Sequence, residues 1–179
     1  IYHYDKNFQL VKAITQGDWD VRSVQGVDEV KGRVLFSANE RNPIGNDAYS
    51  INFDGSNMKR LTEEKGSHMV RWNKTFTHFL DSWSSLTQAP KQALFTDEGV
   101  QVKLVDNAGE PEKFKALQLA TVKQQQVKSR NGFPMESLLF LPPNFDASKK
   151  YPVYQHLYAG PMAPQVRDQW STNLYYHFL

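Results

Sequence analysis

The sequence contains no cysteine among its 179 residues, which excludes disulfide bonds, thiolate nucleophiles and cysteine-ligated metal sites. No apolar run reaches the roughly 18 residues that a membrane-spanning helix requires. Neither sign of charge dominates, because 21 basic residues stand against 19 acidic ones. This balance argues against nucleic acid as a partner. No metal-binding spacing such as H-E-x-x-H occurs, and we expect no metal and no cofactor.

The first two thirds of the chain carry the patterns of short β-strands separated by turns. Residues 34–36 form a short apolar run, and residues 49–53 alternate apolar with polar side chains, which predicts a half-buried strand. The pair Asp54-Gly55 follows at once and predicts a hairpin in which both turn residues have positive φ. Residues 100–104 alternate in the same way, and the polar residues 107–109 are expected to close that strand.

A faint internal repeat is present in this strand-rich part. In each copy a threonine and a glycine precede a tryptophan and a valine. The two threonines, Thr15 and Thr62, are 47 residues apart, and the two glycines, Gly17 and Gly66, are 49 residues apart. Repeats of about 40–50 residues with four strands each are typical of β-propeller blades. Two unrelated hairpin sheets in one sandwich remain an alternative.

The pattern changes near residue 117, after which a polar stretch leads to an Asn131-Gly132 turn. Residues 135–141 are predicted to form a strand that ends at Pro142-Pro143, since proline cannot donate to a sheet ladder. Residues 151–158 are predicted to form a second strand. The aromatic spacing after residue 164 indicates the start of a helix.

Three motifs in fixed order resemble the prolyl oligopeptidase family of serine peptidases, in particular its dipeptidyl peptidase IV group. They are LPPNFD at residues 141–146, KKYPV at 149–153 and YAGP at 158–161. Residues 14–21 and 46–55 also resemble propeller stretches of that group. The resemblance implies a mainly β fragment, with the C-terminal blades of a β-propeller over residues 1–116. Residues 117–179 would be the N-terminal part of a truncated α/β-hydrolase domain, and both chain ends are expected to be cuts within a longer protein.

The nucleophile of an α/β-hydrolase sits in a G-x-S-x-G turn and is followed by the acid and the histidine of the triad. The two Gly-Ser pairs, Gly55-Ser56 and Gly66-Ser67, both lack the second glycine. The resemblance places the serine, aspartate and histidine of the triad beyond this chain, and it predicts that the chain alone is inactive. It assigns one catalytic residue, Tyr158, whose hydroxyl would donate a hydrogen bond to the oxyanion. Without the motif, Tyr158 would be an ordinary aromatic residue at a strand end.

The remaining polar and aromatic candidates are expected to be structural. His68, Asp81 and Ser82 have the residue types of a triad, but the sequence links them in no other way. The four tryptophans are predicted to pack in the core or between blades. Four acidic residues are predicted to be solvated turn charges: Asp18, Asp20, Glu63 and Glu64.

The resemblance implies a serine exopeptidase that releases Xaa-Pro or Xaa-Ala dipeptides from peptide substrates. It also implies a homodimer and makes a periplasmic or cell-surface location plausible. One alternative is a non-catalytic propeller-hydrolase relative that acts as a binding scaffold. A further alternative is a self-contained β-rich interaction domain.

Overall fold

A computed structural model describes residues 1–106, 119–157 and 165–171, and these residues form β-strands and no helix. The prediction of a mainly β chain is therefore confirmed, and no described segment provides a helix suited to crossing a membrane. In chain order, the strands are β1 (Tyr2–Tyr4), β2 (Leu10–Ala13), β3 (Val21–Asp28), β4 (Arg33–Ala38), β5 (Asp47–Asn52), β6 (Lys59–Arg60), β7 (Ser67–Trp72), β8 (His78–Ser84), β9 (Lys91–Thr96), β10 (Gln101–Asp106), β11 (Thr121–Lys128) and β12 (Pro134–Leu141).

Two four-stranded antiparallel sheets form the centre of the fold. Strands β3 to β6 make the first sheet and strands β7 to β10 make the second, each in simple chain order. Strands β3 and β7 begin at Val21 and Ser67, so the spacing of the sheets agrees with the spacing of the sequence repeat. Consecutive four-stranded meanders that stack face to face are the arrangement of propeller blades.

The central strands of the first sheet, β4 and β5, are buried on both faces because they lie between two hydrophobic clusters. Phe36 and Tyr49 stack on one face with ring centroids 5.5 Å apart, next to Trp19. Leu35 and Ala48 point to the other face, where they pack against the second sheet. The predicted half-buried strand at 49–53 was wrong in this respect: β5 is buried on both sides, because the neighbouring blade covers the face that carries its small polar residues.

The hairpin predicted at Asp54-Gly55 is confirmed, but its turn differs from the expected one. Gly55 has φ of 84°, whereas Asp54 does not have positive φ, and the loop continues to Asn57 at φ 51°. Gly55 also lies against the carbonyl oxygen of Ile14, which would be 3.1 Å from an added Cβ. Gly99, in the turn between β9 and β10, lies in the same way against the carbonyl oxygen of Leu61, which belongs to the linker between the two sheets. The two sheets therefore repeat the same turn-to-linker contact.

Gly66 joins the two sheets at a position that tolerates no side chain. Its φ is 120°, and an added Cβ would lie 2.0 Å from the carbonyl oxygen of Ser84. We expect Gly66→Ala to lower the free energy of unfolding by about 2–4 kcal/mol, since it adds backbone strain and overpacking. Gly132→Ala is the matched control, because Gly132 has φ of 81° with nothing within 4 Å. Urea denaturation of both variants measures the difference, and equal losses would contradict the clash.

The C-terminal part contains one long hairpin and an extended segment. The turn at Asn131-Gly132 and the strand predicted at 135–141 are confirmed, with β12 paired to β11. The second strand predicted at 151–158 was wrong over 151–157, which holds no strand. No described strand pairs with this segment to accept and donate its backbone hydrogen bonds, and Val153 is 90% exposed. The helix predicted to start after residue 164 was wrong over 165–171, which hold no helix, and residues 172 onward lie outside the described residues. Residues 107–109 also lie outside them, and the start of a hydrolase domain stays a prediction.

Candidate functional site

Tyr158, the catalytic residue implied by the sequence, lies outside the described residues together with the rest of the YAGP motif. The structure describes the chain on both sides of it, at 151–157 and at 165–171. The second of these segments returns to the two sheets, and the site around it can be built from described residues.

A cavity of about 540 Å³ opens where residues 165–171 meet the two sheets. Strands of both sheets and the loop before β5 form its walls. Basic, hydroxyl and amide side chains are common in the lining, and none of the described residues that line it is Asp or Glu. The lining residues are Arg22, Ser23, Ser37, Pro43, Ile44, Gly45, Asn46, Ser67, His68, Met69, Ser82, Trp83, Ser84, Pro90, Val166, Arg167 and Gln169.

Asp168 holds segment 165–171, which forms one wall of this cavity, against both sheets. Its backbone N–H donates to the carbonyl oxygen of Ile44 at 2.8 Å. Its carboxylate accepts from the backbone N–H of Leu86 at 3.0 Å and from the amide of Asn42 at 3.5 Å. Leu86 follows β8 of the second sheet, and Asn42 precedes β5 of the first. One carboxylate therefore ties segment 165–171 to loops of both blades.

His68, one of the residues that line the cavity, lies in a buried polar cluster. Its Nδ1 lies 2.6 Å from the Asp81 carboxylate, and its Nε2 lies 3.0 Å from the carbonyl oxygen of Glu64. Asp47 is 3.8 Å from Nε2 and accepts hydrogen bonds from Thr62 and Arg41, each at 2.9 Å. His68 is only 4% exposed, and Asp47 and Asp81 are 1% exposed.

The partners of His68 favour its protonated form. A carbonyl and a carboxylate both accept, so both ring nitrogens act as donors. Burial lowers the pKa of His68, but the hydrogen bond and charge of Asp81, the Glu64 carbonyl and Asp47 outweigh it, and the pKa is raised. For Asp47, burial outweighs Thr62 and Arg41 and raises the pKa of the carboxyl.

The triad hypothesis for His68, Asp81 and Ser82 fails on this geometry. The histidine and the aspartate do meet, which the sequence did not reveal, but both ring nitrogens are occupied by other partners. The Ser82 hydroxyl instead accepts a hydrogen bond from Gln92 at 2.7 Å. The cluster instead connects the two blades. Asn46, directly before β5 of the first sheet, accepts a hydrogen bond from the backbone N–H of His68 through its carbonyl oxygen and donates one from its side-chain amide to the His68 carbonyl oxygen, each at 2.7 Å.

The other structural expectations hold where the residues are described. Trp19 and Trp72 pack against the two hydrophobic clusters, and Trp83 is buried and stacks on His68. The four acidic turn residues predicted to be solvated are all exposed. Across residues 1–106, 119–157 and 165–171, no group of acidic or histidine side chains has the arrangement of a metal site.

The sheets and their linkers match a known family. The family described as the dipeptidyl peptidase IV (DPP IV) N-terminal region matches residues 1–90, just over half of the chain. The chain belongs to this family. Its two four-stranded sheets are accordingly blades of the DPP IV N-terminal β-propeller region, and the relationship predicted from the sequence motifs is confirmed.

Similar proteins extend this relationship to most of the chain. Dipeptidyl-aminopeptidase B of Aspergillus niger is 33% identical over 165 residues, which cover 88% of this chain and 18% of the relative. Dipeptidyl peptidase 4 of Trichophyton equinum is 27% identical over 177 residues, 96% of this chain and 23% of the relative. The crystal structure of Porphyromonas gingivalis dipeptidyl peptidase 4 matches with a TM-score of 0.87 and 26% identity, over 95% of this chain and 24% of that chain. This DPP IV-family chain therefore spans less than a quarter of the length of these relatives.

Proposed function

We propose that this chain is part of a serine exopeptidase that releases Xaa-Pro or Xaa-Ala dipeptides from the N-terminus of peptides. The observation that carries the proposal is the similarity of nearly the whole chain, in sequence and fold, to proteins named dipeptidyl peptidases. The specificity comes from the motif resemblance, since no described residue forms a proline pocket.

In this proposal, residues 1–116 supply the last propeller blades and residues 117–179 begin the hydrolase domain. The serine, aspartate and histidine of the triad come from sequence beyond this chain, which by itself is inactive. The serine attacks the peptide carbonyl, and the Tyr158 hydroxyl donates to the oxyanion together with a backbone N–H beside the serine. The substrate is a peptide, and the active protein is a homodimer.

The test uses a protein of the relatives' length that contains this chain. We expect it to release the chromophore from Xaa-Pro and Xaa-Ala dipeptidyl substrates and to leave a Xaa-Lys substrate largely intact. The 179-residue chain alone, assayed at the same concentration, should release none. Absence of dipeptide release by the longer protein would contradict the peptidase proposal.

A non-catalytic binding scaffold is the alternative, because loss of the serine would leave the propeller fold intact. The presence or absence of a G-x-S-x-G motif in the sequence after Leu179 distinguishes the two. A missing motif combined with retained peptide binding would favour the scaffold.

A further inference from the structure

Segment 165–171 is bound to the two blades although it forms neither helix nor strand. Its alternate residues Val166, Asp168 and Trp170 are half-buried, while the residues between them are exposed. The backbone N–H of Trp170 donates to the hydroxyl of Ser84, the last residue of β8, at 3.1 Å. Together with the hydrogen bonds of Asp168, this contact fixes the segment to both sheets.

The groups that receive Asp168 are themselves held in place. In the loop before β5, the side-chain oxygen of Asn42 accepts from the backbone N–H of Ile44 at 3.2 Å, and its main-chain oxygen accepts from Gly45 at 2.9 Å. This turn presents the Asn42 amide and the Ile44 carbonyl oxygen to Asp168. The two carboxylate oxygens divide the contacts, since one accepts from Leu86 and the other from Asn42. Hydrogen bonds to an ionised carboxylate are stronger than those between neutral groups.

The position of this attachment in the chain links it to Tyr158. Asp168 follows Tyr158 by ten residues. On the other side of Tyr158, residues 151–157 are all exposed and belong to no strand. Among the described residues that flank Tyr158, those that bind the blades are therefore on its C-terminal side. An oxyanion donor acts only at hydrogen-bond distance, and a displacement of about 1 Å can lower a rate about 10²-fold.

We infer that Asp168 is a positioning residue for the peptidase reaction, because it binds both blades and thereby fixes the stretch of chain that carries Tyr158. The inference rests on the proposed function and deepens it, since it gives the propeller blades a part in placing an oxyanion donor of the hydrolase site. In this role Asp168 acts through Tyr158 and not on the substrate.

The first test replaces Asp168 in the longer protein. Asp168→Ala removes both acceptor oxygens and is expected to lower kcat for a chromogenic Xaa-Pro dipeptide about 10–100-fold with little change in KM. The double variant Asp168→Asn with Asn42→Asp exchanges amide and carboxylate, keeps a donor opposite an acceptor, and should restore most of the activity. Steady-state kinetics measures both. No loss in Asp168→Ala, or no recovery in the exchanged pair, would overturn the inference.

Asp146→Ala is the matched control, because Asp146 is also half-buried and lies twelve residues before Tyr158. Its carboxylate binds Ser148 and Lys149 of its own loop. It should therefore leave kcat unchanged, and a loss equal to that of Asp168→Ala would count against a specific role of Asp168.

A double-variant cycle with Tyr158→Phe separates positioning from a loss of folded protein. In the Tyr158→Phe background, Asp168→Ala should lower kcat by less than about threefold, because the donor that it positions is already absent. A purely structural loss would lower turnover by the same factor in both backgrounds, and that result would overturn the inference.

Hydrogen exchange followed by mass spectrometry supplies a measurement that needs no activity. Asp168→Ala should speed amide exchange about tenfold or more in the peptide that contains Tyr158 and leave exchange in β4 and β8 unchanged. Unchanged exchange in that peptide would overturn the inference even if kcat falls. If the wild-type longer protein hydrolyses no dipeptide, the proposed function fails, while the exchange comparison still decides whether Asp168 fixes this stretch of chain.

Discussion

Replacing Tyr158 with phenylalanine in a peptidase-length protein is expected to lower kcat about 10²–10³-fold with little change in KM. A phenol remains protonated at neutral pH and can donate one hydrogen bond to the negative charge that forms on the peptide carbonyl. Phenylalanine keeps the ring and loses only this donor. The interaction exists mainly in the transition state, so the loss falls on kcat. Steady-state kinetics with a chromogenic Xaa-Pro dipeptide measures it.

Tyr154→Phe is the matched control for this prediction. Tyr154 lies four residues earlier and is 77% exposed, and its replacement should leave kcat unchanged. Near wild-type turnover of Tyr158→Phe would reject the oxyanion role. Equal losses in both variants would point to a general effect of the segment and would reject it as well.

Asp81→Asn is expected to lower the free energy of unfolding by about 3–5 kcal/mol. The substitution keeps the shape of the side chain but removes the negative charge 2.6 Å from the buried His68 ring. The histidine must then either remain charged with one partner fewer or lose its proton and one of its two donated hydrogen bonds. Urea denaturation followed by tryptophan fluorescence measures the change, since Trp83 stacks on His68 with ring centroids 6.1 Å apart.

Asp106→Asn provides the control, because Asp106 lies on the exposed strand β10. We expect it to change stability by less than about 0.5 kcal/mol. A similar small change for Asp81→Asn would show that the buried pair does not stabilise the blade joint. The double variant His68→Leu with Asp81→Leu should cost less than the sum of its single changes, since it leaves no unpaired buried charge.

The same pair predicts a dependence of stability on pH. The pKa of His68 is raised in the folded state, where Asp81 and the Glu64 carbonyl outweigh burial. Its contribution is therefore fully present below the unfolded pKa of about 6.5 and is lost as pH rises through the higher folded pKa. Unfolding measured from about pH 6 to 9 should show this decline in the wild-type protein and a flatter curve in Asp81→Asn. Equal slopes would contradict the assignment of the decline to this pair.

Local patterns in the sequence identified much of the fold. Alternating side chains located β5 and β10, Asp54-Gly55 and Asn131-Gly132 located two hairpins, and the repeat of Thr15 and Thr62 indicated blades. These signals depend on residues close together in the chain, where backbone preference and side-chain direction act directly. The same local reasoning made residues 151–157 a strand, although a strand also requires a neighbour that local sequence does not show.

The sequence by itself determined the family, because the three ordered motifs are carried by contiguous residues, and the same motifs predict the role of Tyr158. Only the tertiary structure decided which charges meet: Asp81 with His68, Arg41 with Asp47, and Asp168 with loops of two different sheets. It also decided that β5 is buried on both faces and that Arg22 and Arg167 share one cavity. The burial of β5, the contacts of Asp168 and the cavity arise where blades stack on each other and where residues 165–171 return to them, so they join residues far apart in the chain, for which no spacing rule exists. The pairs of Asp81 with His68 and Arg41 with Asp47 are closer in sequence, but they depend on strand register and on the path of the loop before β5, which local patterns do not specify.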